Sequence, residues 1–421
     1  MTGAVAHGDA ARLRMGPKTL YVFNSAEAAK HVLADNAANY VKGIGLVQAK
    51  RAIGDGLLTS EGELWRTQRA LIRPAFRHRR IAEQAGVVAE EALALADRLS
   101  ARKGAGPVDV AEELTGLTLG VLGRTLLDSD LSGFDGIAAA FEAVQDQAMF
   151  ELVTLSALPA WVPLPGQLRF RRARRYLEGV VDRLVRERAG RPAGDDVLSA
   201  LVASAAAEPD PAVGRRRVRD ELVTLLLAGH ETTASTLSWA LHHIDRHPAV
   251  GRRLHDEAVS VLGGRAPEAA DLTALAYTGR VVAEAMRLHP PVWMLPRQAL
   301  ADDVVAGWRV PAGVDVAVSP YTLHRNPRYW PEPERFDPDR FDPDRTGPAG
   351  AAGRPRYAYI PFGAGPRFCV GSQLGTMEAV FVLAVLARDL RLRSVPFRPA
   401  VPEPMLSLRV RGGLPMTVHA A

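Results

Sequence analysis

Apolar residues recur along most of the chain at the spacing of amphipathic helices, three or four positions in every two turns. This pattern predicts helices at 108–127, 134–155, 167–187 and 215–247, another from about Leu272 to the stop at His289-Pro290-Pro291, and a last one over 371–390. Strand-like patterns are confined to 19–23, to a strand and turn at 308–313, and to a hairpin over 406–418. Helices therefore dominate, and no segment between them is long enough to separate two domains.

Polar residues and prolines predict where some of these elements begin and end. Asn24, three residues before Glu27, predicts the cap of a short helix, and Ser60 with Glu63 forms a capping-box pattern that opens a helix ending near Pro74. The proline-rich stretch 158–165 and the stretch 340–357, rich in glycine, proline and arginine, predict loops. About the first 18 residues contain no apolar segment, and we expect a flexible N-terminus there.

The helix predicted at 215–247 carries polar residues in its apolar middle. At 1.5 Å per residue it is roughly 50 Å long and must cross the whole molecule. Its centre, Ala228-Gly-His-Glu-Thr-Thr233, places an acid and two threonines among leucines. A buried carboxylate is costly unless it is paired, and a threonine that bonds the carbonyl four residues back bends a helix. The segment therefore indicates either a kink or a functional site.

Composition places the chain among ordinary soluble proteins. Of its 421 residues 47% are hydrophobic and 24% charged, and 52 basic against 47 acidic residues give a net charge of +5. Only five of the basic residues are lysines, and the arginine runs are not interleaved with aromatic residues, which argues against nucleic-acid binding. No segment resembles a secretory signal, and no run of about 18 apolar residues predicts a membrane anchor. We therefore expect a cytoplasmic protein.

The single cysteine, Cys369, lies in Pro361-Phe-Gly-Ala-Gly-Pro-Arg-Phe-Cys-Val-Gly371, directly before a predicted helix. Glycines let the backbone approach the sulfur closely, and the N-terminus of a helix favours a thiolate. Such a thiolate is a metal ligand or a nucleophile. The rival interpretation is the nucleophile of a cysteine hydrolase, which needs a partner histidine that the sequence does not exclude. That interpretation leaves the motifs at 65–69, 228–233, 284–287 and 336–341, described next, unexplained.

The segment around Cys369 resembles the haem-binding loop of the cytochrome P450 family, F-x-x-G-x-R-x-C-x-G, with every fixed position filled. Four further motifs of that family have counterparts. They are Trp65-Arg-Thr-Gln-Arg69 for W-x-x-x-R, Ala228-Gly-His-Glu-Thr-Thr233 for the oxygen-binding helix, Glu284-Ala-Met-Arg287 for E-x-x-R, and Phe336-Asp-Pro-Asp-Arg-Phe341 for P-x-R-F. The resemblance covers about residues 19–418 and implies the cytochrome P450 fold, a single mainly α domain with small β-sheets over residues 1–421.

The resemblance implies haem b as the cofactor, with Cys369 as the axial ligand of its iron. A cysteine thiolate pushes electron density onto iron and favours cleavage of the O–O bond. Arginine suits the two haem propionates because it donates two parallel hydrogen bonds to a carboxylate. The cofactor-binding residues implied by the resemblance are Trp65, Arg69, Arg297, Phe362, Arg367 and Gly371.

The resemblance also assigns roles to the polar residues of two helices. Glu231 and Thr232 are implied as the catalytic acid–alcohol pair that relays protons to bound dioxygen. Glu284 and Arg287 are neighbours on one helix turn, and with Arg340 they are implied to form a buried network that holds the cysteine loop, a structural role. The residues implied to line the substrate pocket are all apolar: Leu58, Leu226, Leu227, Ala228, Val292, Met294, Met405 and Leu406.

These assignments predict a haem-thiolate monooxygenase that inserts one atom of O₂ into a C–H bond or an alkene. An apolar pocket favours a large lipophilic substrate, a terpenoid or macrocyclic polyketide intermediate of secondary metabolism, ahead of a fatty acid, for which no anchoring cation is identified. Electrons are expected from a ferredoxin and its NAD(P)H-dependent reductase, and we expect a monomer. A peroxide-driven enzyme and a non-catalytic haem- or ligand-binding protein are the alternatives.

Overall fold

The structure, a computed structural model, describes residues 8–421 apart from 17, 135, 159–160, 193, 346–349 and 351–352. Most of the described chain is helical, as the apolar periodicity predicts. The α-helices, in chain order, are α1 (Ala26–Lys30), α2 (Leu46–Ile53), α3 (Gly62–Ile72), α4 (His78–Glu83), α5 (Ala85–Ser100), α6 (Val110–Leu126), α7 (Ile137–Val153), α8 (Pro165–Ala189), α9 (Val197–Ala206), α10 (Pro211–Arg246), α11 (Pro248–Leu262), α12 (Asp271–Ala274), α13 (Ala276–Leu288), α14 (Pro320–Leu323) and α15 (Ser372–Asp389).

Small β-sheets complete this single domain. The strands are β1 (Ala10–Met15), β2 (Lys18–Phe23), β3 (Tyr40–Lys42), β4 (Val108–Asp109), β5 (Leu295–Ala299), β6 (Asp303–Val305), β7 (Trp308–Val310), β8 (Asp315–Val318), β9 (Leu390–Ser394), β10 (Pro402–Pro404), β11 (Leu408–Val410) and β12 (Pro415–Ala420). The largest sheet has the order β1-β2-β8-β5-β3, a second has the order β4-β12-β9, and β6-β7 and β10-β11 form two-stranded sheets. Among the described residues, no helix is both long enough and apolar enough to cross a membrane.

Helix α10 is the central element, 36 residues long and mostly buried. It packs against α6 at Gly229, where a Cβ atom would lie 2.1 Å from Cδ1 of Leu122. A hydrogen bond also joins the two helices: the hydroxyl of Thr118 on α6 donates to the carbonyl of His230 on α10 at 2.9 Å. A glycine at position 229 is therefore required for the close approach of the two helices, and the middle of α10 is held firmly.

Two of the predicted helix caps are wrong. Ser25, not Asn24, caps α1 with its side chain. Helix α3 begins at Gly62 with no side-chain cap, so the predicted capping box is absent there. The buried hydroxyl of Ser60 instead donates a hydrogen bond of 2.7 Å to the side chain of Gln68, two turns along α3. Both side chains are buried, and the hydrogen bond between them gives each buried polar group a partner.

The predicted hairpin over 406–418 is also wrong, because its two strands pair with other partners. Strand β11 pairs with β10, and β12 pairs with β4 and β9. The glycine pair between them, Gly412 and Gly413, has φ angles of 71° and 85°. A Cβ atom at Gly413 would collide with the carboxylate of Asp109, which accepts a hydrogen bond of 2.9 Å from the Leu414 amide. The turn therefore docks on the start of α6 and directs β12 away from β11.

Other differences concern segments where the sequence pattern is weak or interrupted. Residues 10–15, expected to be flexible, form β1 on the edge of the largest sheet, whereas residues 1–7 and 17 lie outside the described residues. The helix predicted from about Leu272 is divided at Leu275 into α12 and α13 and ends before His289, as predicted. The predicted loop 340–357 lies partly outside the described residues. The sequence pattern does not predict helices α2, α4, α5, α9, α11 and α14.

Candidate active site

The middle of α10 has an accessible strip although the helix is otherwise buried. Ala228 is exposed and Glu231 and Thr232 are half-buried, between the buried residues Leu227 and Thr233. The Thr232 hydroxyl donates a hydrogen bond of 2.7 Å to the carbonyl of Ala228, the bond to the residue four positions back that the sequence suggested. Because its proton is used in this way, Oγ1 of Thr232 presents its lone pairs to the accessible side.

Glu231 is held by groups from two other parts of the chain. Gln145 on α7 donates a hydrogen bond of 2.7 Å to its carboxylate. Burial raises the pKa of Glu231, while the hydrogen bond from Gln145 and the charge of Arg409 act in the opposite direction. A carboxyl with a raised pKa exchanges its proton nearer to neutral pH than a surface glutamate does, which suits it to proton transfer.

The loop before Cys369 depends on glycines and on one backbone hydrogen bond. Gly363 and Gly365 have φ angles of 71° and 67°. A Cβ atom at Gly365 would lie 1.9 Å from the carbonyl oxygen of Leu33, so the loop can pack there only with glycine. The amide of Cys369 donates a hydrogen bond of 3.0 Å to the carbonyl of Phe362 and closes the loop. The sulfur is thereby presented at the start of α15.

Cys369 is an exposed residue, yet protein atoms surround its thiol. This enclosure raises the pKa of the thiol, and a hydrogen bond from the amide of Gly371 and the charge of Arg69 lower it. A thiol at the wall of an internal space is enclosed by protein and still accessible. A metal ion coordinated by the sulfur would add a far stronger stabilisation of the thiolate.

Helix α15 brings the cysteine loop to the centre of α10. A Cβ atom at Gly375, one turn into α15, would lie 3.5 Å from Oγ1 of Thr233. Burial raises the pKa of Glu378, on the same helix, well above the ordinary value, and the Thr233 side chain acts in the opposite direction. Cys369 and the accessible strip of α10 are therefore parts of one region of the molecule.

The predicted propionate residues gather beside this loop. Two guanidinium groups lie close to Trp65, with the Arg69 and Arg367 carbons 5.6 and 4.4 Å from its ring centre. Arg69 donates a hydrogen bond of 2.9 Å to the carbonyl of Phe368, next to the cysteine. Arg297 is buried, and its pKa is lowered to about 10 by burial and by the charge of Arg367. The structure therefore brings four of the six predicted cofactor residues to one side of the loop.

Two residues of this cluster were not singled out from the sequence, Lys42 and Glu61. Lys42 is buried beside Arg297, Arg367 and Arg69. Glu61 forms an ion pair with Arg367. No motif contains either residue; the only sequence signal is that Lys42 is one of five lysines in a chain rich in arginine. Four cations and one carboxylate leave an excess of positive charge, which fits a ligand that carries two carboxylates, as haem does.

The structure brings Glu284, Arg287 and Arg340 together in a buried network. The Glu284 and Arg287 side chains are wholly buried, and Arg287 donates two hydrogen bonds of 2.7 and 2.8 Å to the Glu284 carboxylate. Arg340 lies 3.5 Å from the same carboxylate. Arg287 also donates to the carbonyl of His324 at 2.9 Å, and the His324 ring accepts a hydrogen bond of 2.9 Å from the amide of Ile360. The network thus reaches the segment that leads into the cysteine loop.

The predicted pocket residues fall into two groups. Ala228 is exposed, and the partly exposed ones are Leu58, Val292, Met294, Met405 and Leu406. Leu226 and Leu227 are 0% and 4% exposed and pack into the helical core, so the structure does not place them on the accessible strip of α10. The stretch 225–228 of α10 is apolar on every side, so its sequence does not indicate which of these residues face an open space.

The segments that carry the other pocket residues are joined to each other and to α10. Trp293 donates a hydrogen bond of 2.9 Å from its indole nitrogen to the carbonyl of Met405, and the Leu408 amide donates one of 2.8 Å to the carbonyl of Pro291. Ser235 on α10 donates to the carbonyl of Leu408 at 2.6 Å. The apolar side chains at 292, 294, 405 and 406 are therefore carried by one hydrogen-bonded unit on the central helix.

Comparison with known proteins identifies relatives over nearly the whole chain. The family model described as Cytochrome P450 matches residues 4–412. Cyclooctatin synthase of Streptomyces melanosporofaciens is 38% identical over 407 residues, covering 96% of this chain and 87% of that protein. Cyclooctat-9-en-7-ol 5-monooxygenase of the same organism is 36% identical, with coverage of 93% and 84%. Pentalenene oxygenase of Streptomyces avermitilis is 33% identical, with coverage of 94% and 87%.

Proposed function

The chain belongs to the cytochrome P450 family and is a monooxygenase, and from that premise we propose that it binds haem b through Cys369 and oxidises a bulky lipophilic terpenoid. The observation that carries this proposal is the convergence of the accessible Cys369 thiol with the Ala228–Thr232 strip, through the contact of α15 with α10. One side of this region offers an iron ligand, and the other offers a proton-carrying pair.

The residues that would hold the cofactor supply charge as well as position. Cys369 would ligate the iron, and the cations beside Trp65 would take the two propionates. When bound through a cysteine thiolate, haem supplies the chemistry that activates O₂ and cleaves its O–O bond. The protein contributes a closed loop, a fixed sulfur and a positively charged surface on one side of that loop.

The protein must also deliver two protons for each molecule of water that is released. Glu231 can hold one proton on its carboxyl because burial raises its pKa. Thr232, the next residue, keeps its hydroxyl proton on the carbonyl of Ala228 and presents Oγ1 as an acceptor. We assign Glu231 to proton supply and Thr232 to orienting the proton that passes along this strip. Positioned proton transfer contributes roughly 10²–10⁴-fold to a rate.

The proposed substrate class follows from the lining and from the relatives. The accessible side chains at 58, 228, 292, 294, 405 and 406 are apolar. Pentalenene oxygenase and cyclooctat-9-en-7-ol 5-monooxygenase are named for an alkene and for an unsaturated alcohol. Such compounds are recognised by shape and apolar burial, at about 25 cal/mol per Å² of apolar area removed from water. A cyclic terpenoid suits this lining better than a fatty acid, whose carboxylate requires a cation.

We propose a ferredoxin and its NAD(P)H-dependent reductase as the electron donors. The surface beside the cysteine loop carries exposed arginines at 73, 77 and 79, and Phe76 of the same turn would lie 3.6 Å from a Cβ atom at Gly371. Ferredoxins are acidic, and opposite charge steers the encounter of two proteins.

The experiment has a spectroscopic part and a catalytic part. The reduced protein with CO should show the red-shifted Soret band of a thiolate-ligated haem, and Cys369→Ala should lose it. Cyclic terpenoids, macrocyclic lactones and fatty acids should then be compared by the spin shift of the ferric haem. With a ferredoxin, a reductase, NAD(P)H and ¹⁸O₂, the product should contain one labelled oxygen. A native protein without the thiolate band would overturn the proposal, as would steady turnover with peroxide alone or binding without product.

A further inference from the structure

The segment 54–60, which follows α2, packs closely against α10. A Cβ atom at Gly54 would collide with the carboxylate of Asp220, and one at Gly56 would collide with the hydroxyl of Thr224. This segment, the 54–60 loop, can therefore approach the helix so closely only with glycine at both positions.

Two consecutive carboxylates of α10 accept hydrogen bonds from the backbone of this loop. The Asp55 amide donates one of 2.9 Å to Asp220, and the Leu57 amide donates one of 3.2 Å to Glu221. Both carboxylates are buried, at 8% and 1% exposed. An amide that is removed from water and loses its acceptor costs free energy, so these two bonds favour the observed position of the loop.

Glu221 differs from an ordinary carboxylate acceptor because it is almost wholly buried. Burial raises its pKa to about 8, the hydrogen bond from Leu57 lowers it, and the charges of Asp220 and Asp55 raise it further. At neutral pH the carboxyl is therefore mostly protonated. A neutral carboxyl costs far less to bury than a charged one.

The cations around this point are engaged by other acids. The pairs are Arg219 with Asp220, Arg174 with Glu178, Arg51 with Glu151, and Lys50 with Asp55. Within the described residues, none of these four cations forms an ion pair with Glu221. Ionisation of Glu221 would therefore place a further negative charge beside two acids, without a cation of its own.

Glu221 lies on the side of α10 that leads to the accessible strip. Residues seven and eleven positions apart share one face of a helix, so Glu221 shares its face with Ala228 and Thr232. The 54–60 loop covers this face at Glu221 and carries Leu58, which is partly exposed. The position of the loop therefore decides how Leu58 contributes to the apolar wall.

We propose that Glu221 is a positioning residue, which through the Leu57 amide holds the 54–60 loop against α10 and so fixes Leu58 in the wall of the substrate pocket. This inference rests on the proposed function, in which Leu58 lines the pocket. The pKa of Glu221 is about 8 with the loop in place and falls towards the ordinary value when the loop is displaced and the carboxyl is hydrated. The preference for the closed loop is therefore present at low pH and is lost as pH rises through about 8.

The test measures the binding of two haem ligands to the holoprotein: clotrimazole, a bulky apolar azole, and imidazole, which reaches the iron without filling the pocket. Glu221→Leu removes the acceptor, and Glu221→Gln keeps an acceptor that cannot ionise. Glu257→Leu is the matched control, because Glu257 accepts hydrogen bonds of 2.7 and 2.8 Å from the amides of Tyr277 and Thr278, at the start of α13.

Glu221→Leu should weaken clotrimazole binding roughly tenfold, because the loop is closed for less of the time, and should leave imidazole binding within about twofold. Glu221→Gln and Glu257→Leu should bind both ligands natively at neutral pH. As pH rises from about 7 to about 9, native binding of clotrimazole should weaken about threefold or more relative to Glu221→Gln. This comparison of pH responses serves if Glu221→Leu does not fold.

A double variant tests whether Glu221 acts through Leu58. When Leu58→Ala is combined with Glu221→Leu, the two losses of clotrimazole affinity should not add, because both changes act on one contact. Native affinity in Glu221→Leu, an equal loss in Glu257→Leu or additive losses would overturn the inference while the proposed function stands. An equal pH response in the native protein and Glu221→Gln, or an equal loss of imidazole binding, would overturn it too. A native protein without the thiolate band would instead overturn the proposed function.

Discussion

Gln145 on α7 donates a hydrogen bond of 2.7 Å to Glu231 on α10, across 86 positions of sequence. Through this bond α7, a helix that contains none of the family motifs, holds the carboxylate of the proposed proton donor. A donor aimed at a carboxylate stabilises its charged form and therefore lowers its pKa. Burial raises the pKa of Glu231, and Gln145 limits this increase.

We expect Gln145→Leu to raise the pKa of Glu231 further, because a donor to the carboxylate is lost. The protonated carboxyl delivers the proton, so activity is lost as pH rises through this pKa. The alkaline limb of the pH profile of product formation should therefore move to higher pH. Gln147→Leu, which breaks a 2.9 Å hydrogen bond to Glu151 on the same helix, is the matched control and should leave the limb in place. Equal profiles for Gln145→Leu and the native protein would remove Gln145 from the relay.

Thr232→Ala should separate electron use from product formation. The side chain is small and half-buried, so haem and substrate binding should persist. Without Oγ1 the orientation of protons is lost, and reducing equivalents should be released as peroxide, with product per NAD(P)H falling by up to roughly 10²–10⁴-fold. Thr236→Ala removes a similar 2.9 Å hydrogen bond one turn further along and should keep native coupling. Native coupling in Thr232→Ala would show that its hydroxyl has no part in proton transfer.

The sequence predicts the parts of the fold that depend on continuous local patterns. The central helix, predicted at 215–247, is observed at Pro211–Arg246, because its helical pattern is long; the start is four residues earlier than predicted, where Asp210 caps the helix and Pro211 opens it. The cysteine loop is equally local, since glycines, sulfur and helix start lie within eleven residues. Elements that depend on distant partners were missed or wrong, as β12 shows, which pairs with β4 about 300 residues earlier.

The residues of the candidate site also fall into two groups, those that a short motif identifies and those that only distant contacts bring to the site. Motif residues such as Cys369 and Thr232 are recognisable in the sequence because each motif is short. Lys42 and Gln145 were missed because their importance arises from a strand register and a helix contact that no local pattern encodes. The burial of Leu226 is not readable from the sequence for a related reason, since the packing of neighbouring helices decides which side of α10 is accessible.

Enlarging two partly exposed apolar side chains should alter substrate binding. Val292→Phe and Leu406→Phe would each add bulk to the hydrogen-bonded unit beside α10. We expect weaker ferric spin shifts or a changed position of oxidation, with an overpacking cost of about 1–3 kcal/mol. Leu226→Phe is the contrasting control, because Leu226 is fully buried in the core and its enlargement should lower the free energy of unfolding instead. Native affinity and native products in both pocket variants would place the substrate elsewhere.

Breaking the buried Glu284–Arg287 pair should damage the fold and leave the chemistry of the haem unchanged where the fold survives. Arg287→Met leaves the Glu284 carboxylate buried with fewer partners and should cost about 3–5 kcal/mol of unfolding free energy, measured by denaturant titration. Surface ion pairs contribute far less, about 0–1 kcal/mol, so Arg66→Met, which breaks the exposed pair with Glu63, should change little. Similar stability in the two variants would mean that this network does not support the cysteine loop.

The arginine-rich turn after α3 is the surface on which we expect the electron donor to dock. The turn comprises the 3₁₀ segment Arg73–Phe76 and the start of α4, and it lies against the cysteine loop through Phe76. Arg79 and Arg80 share the carboxylate of Glu83, at 3.1 and 3.0 Å, so the positive field here is reduced but not cancelled. Each exposed charge should contribute modestly, about 0.2–1 kcal/mol, and several together can change association tenfold or more.

The triple change Arg77→Glu, Arg79→Glu and Arg80→Glu reverses this field without touching the proposed cofactor contacts. At low salt the first electron transfer from an acidic ferredoxin should slow at least tenfold, since steering acts on the association rate. At higher salt the difference should shrink, because screening acts within about 8 Å at physiological ionic strength. Substrate spin shifts should not move. The matched control is Arg172→Glu, Arg175→Glu and Arg216→Glu, which removes the same amount of positive charge from exposed positions on α8 and α10. If both triple variants slow the transfer equally, net charge rather than this turn governs the encounter, and the docking surface lies elsewhere.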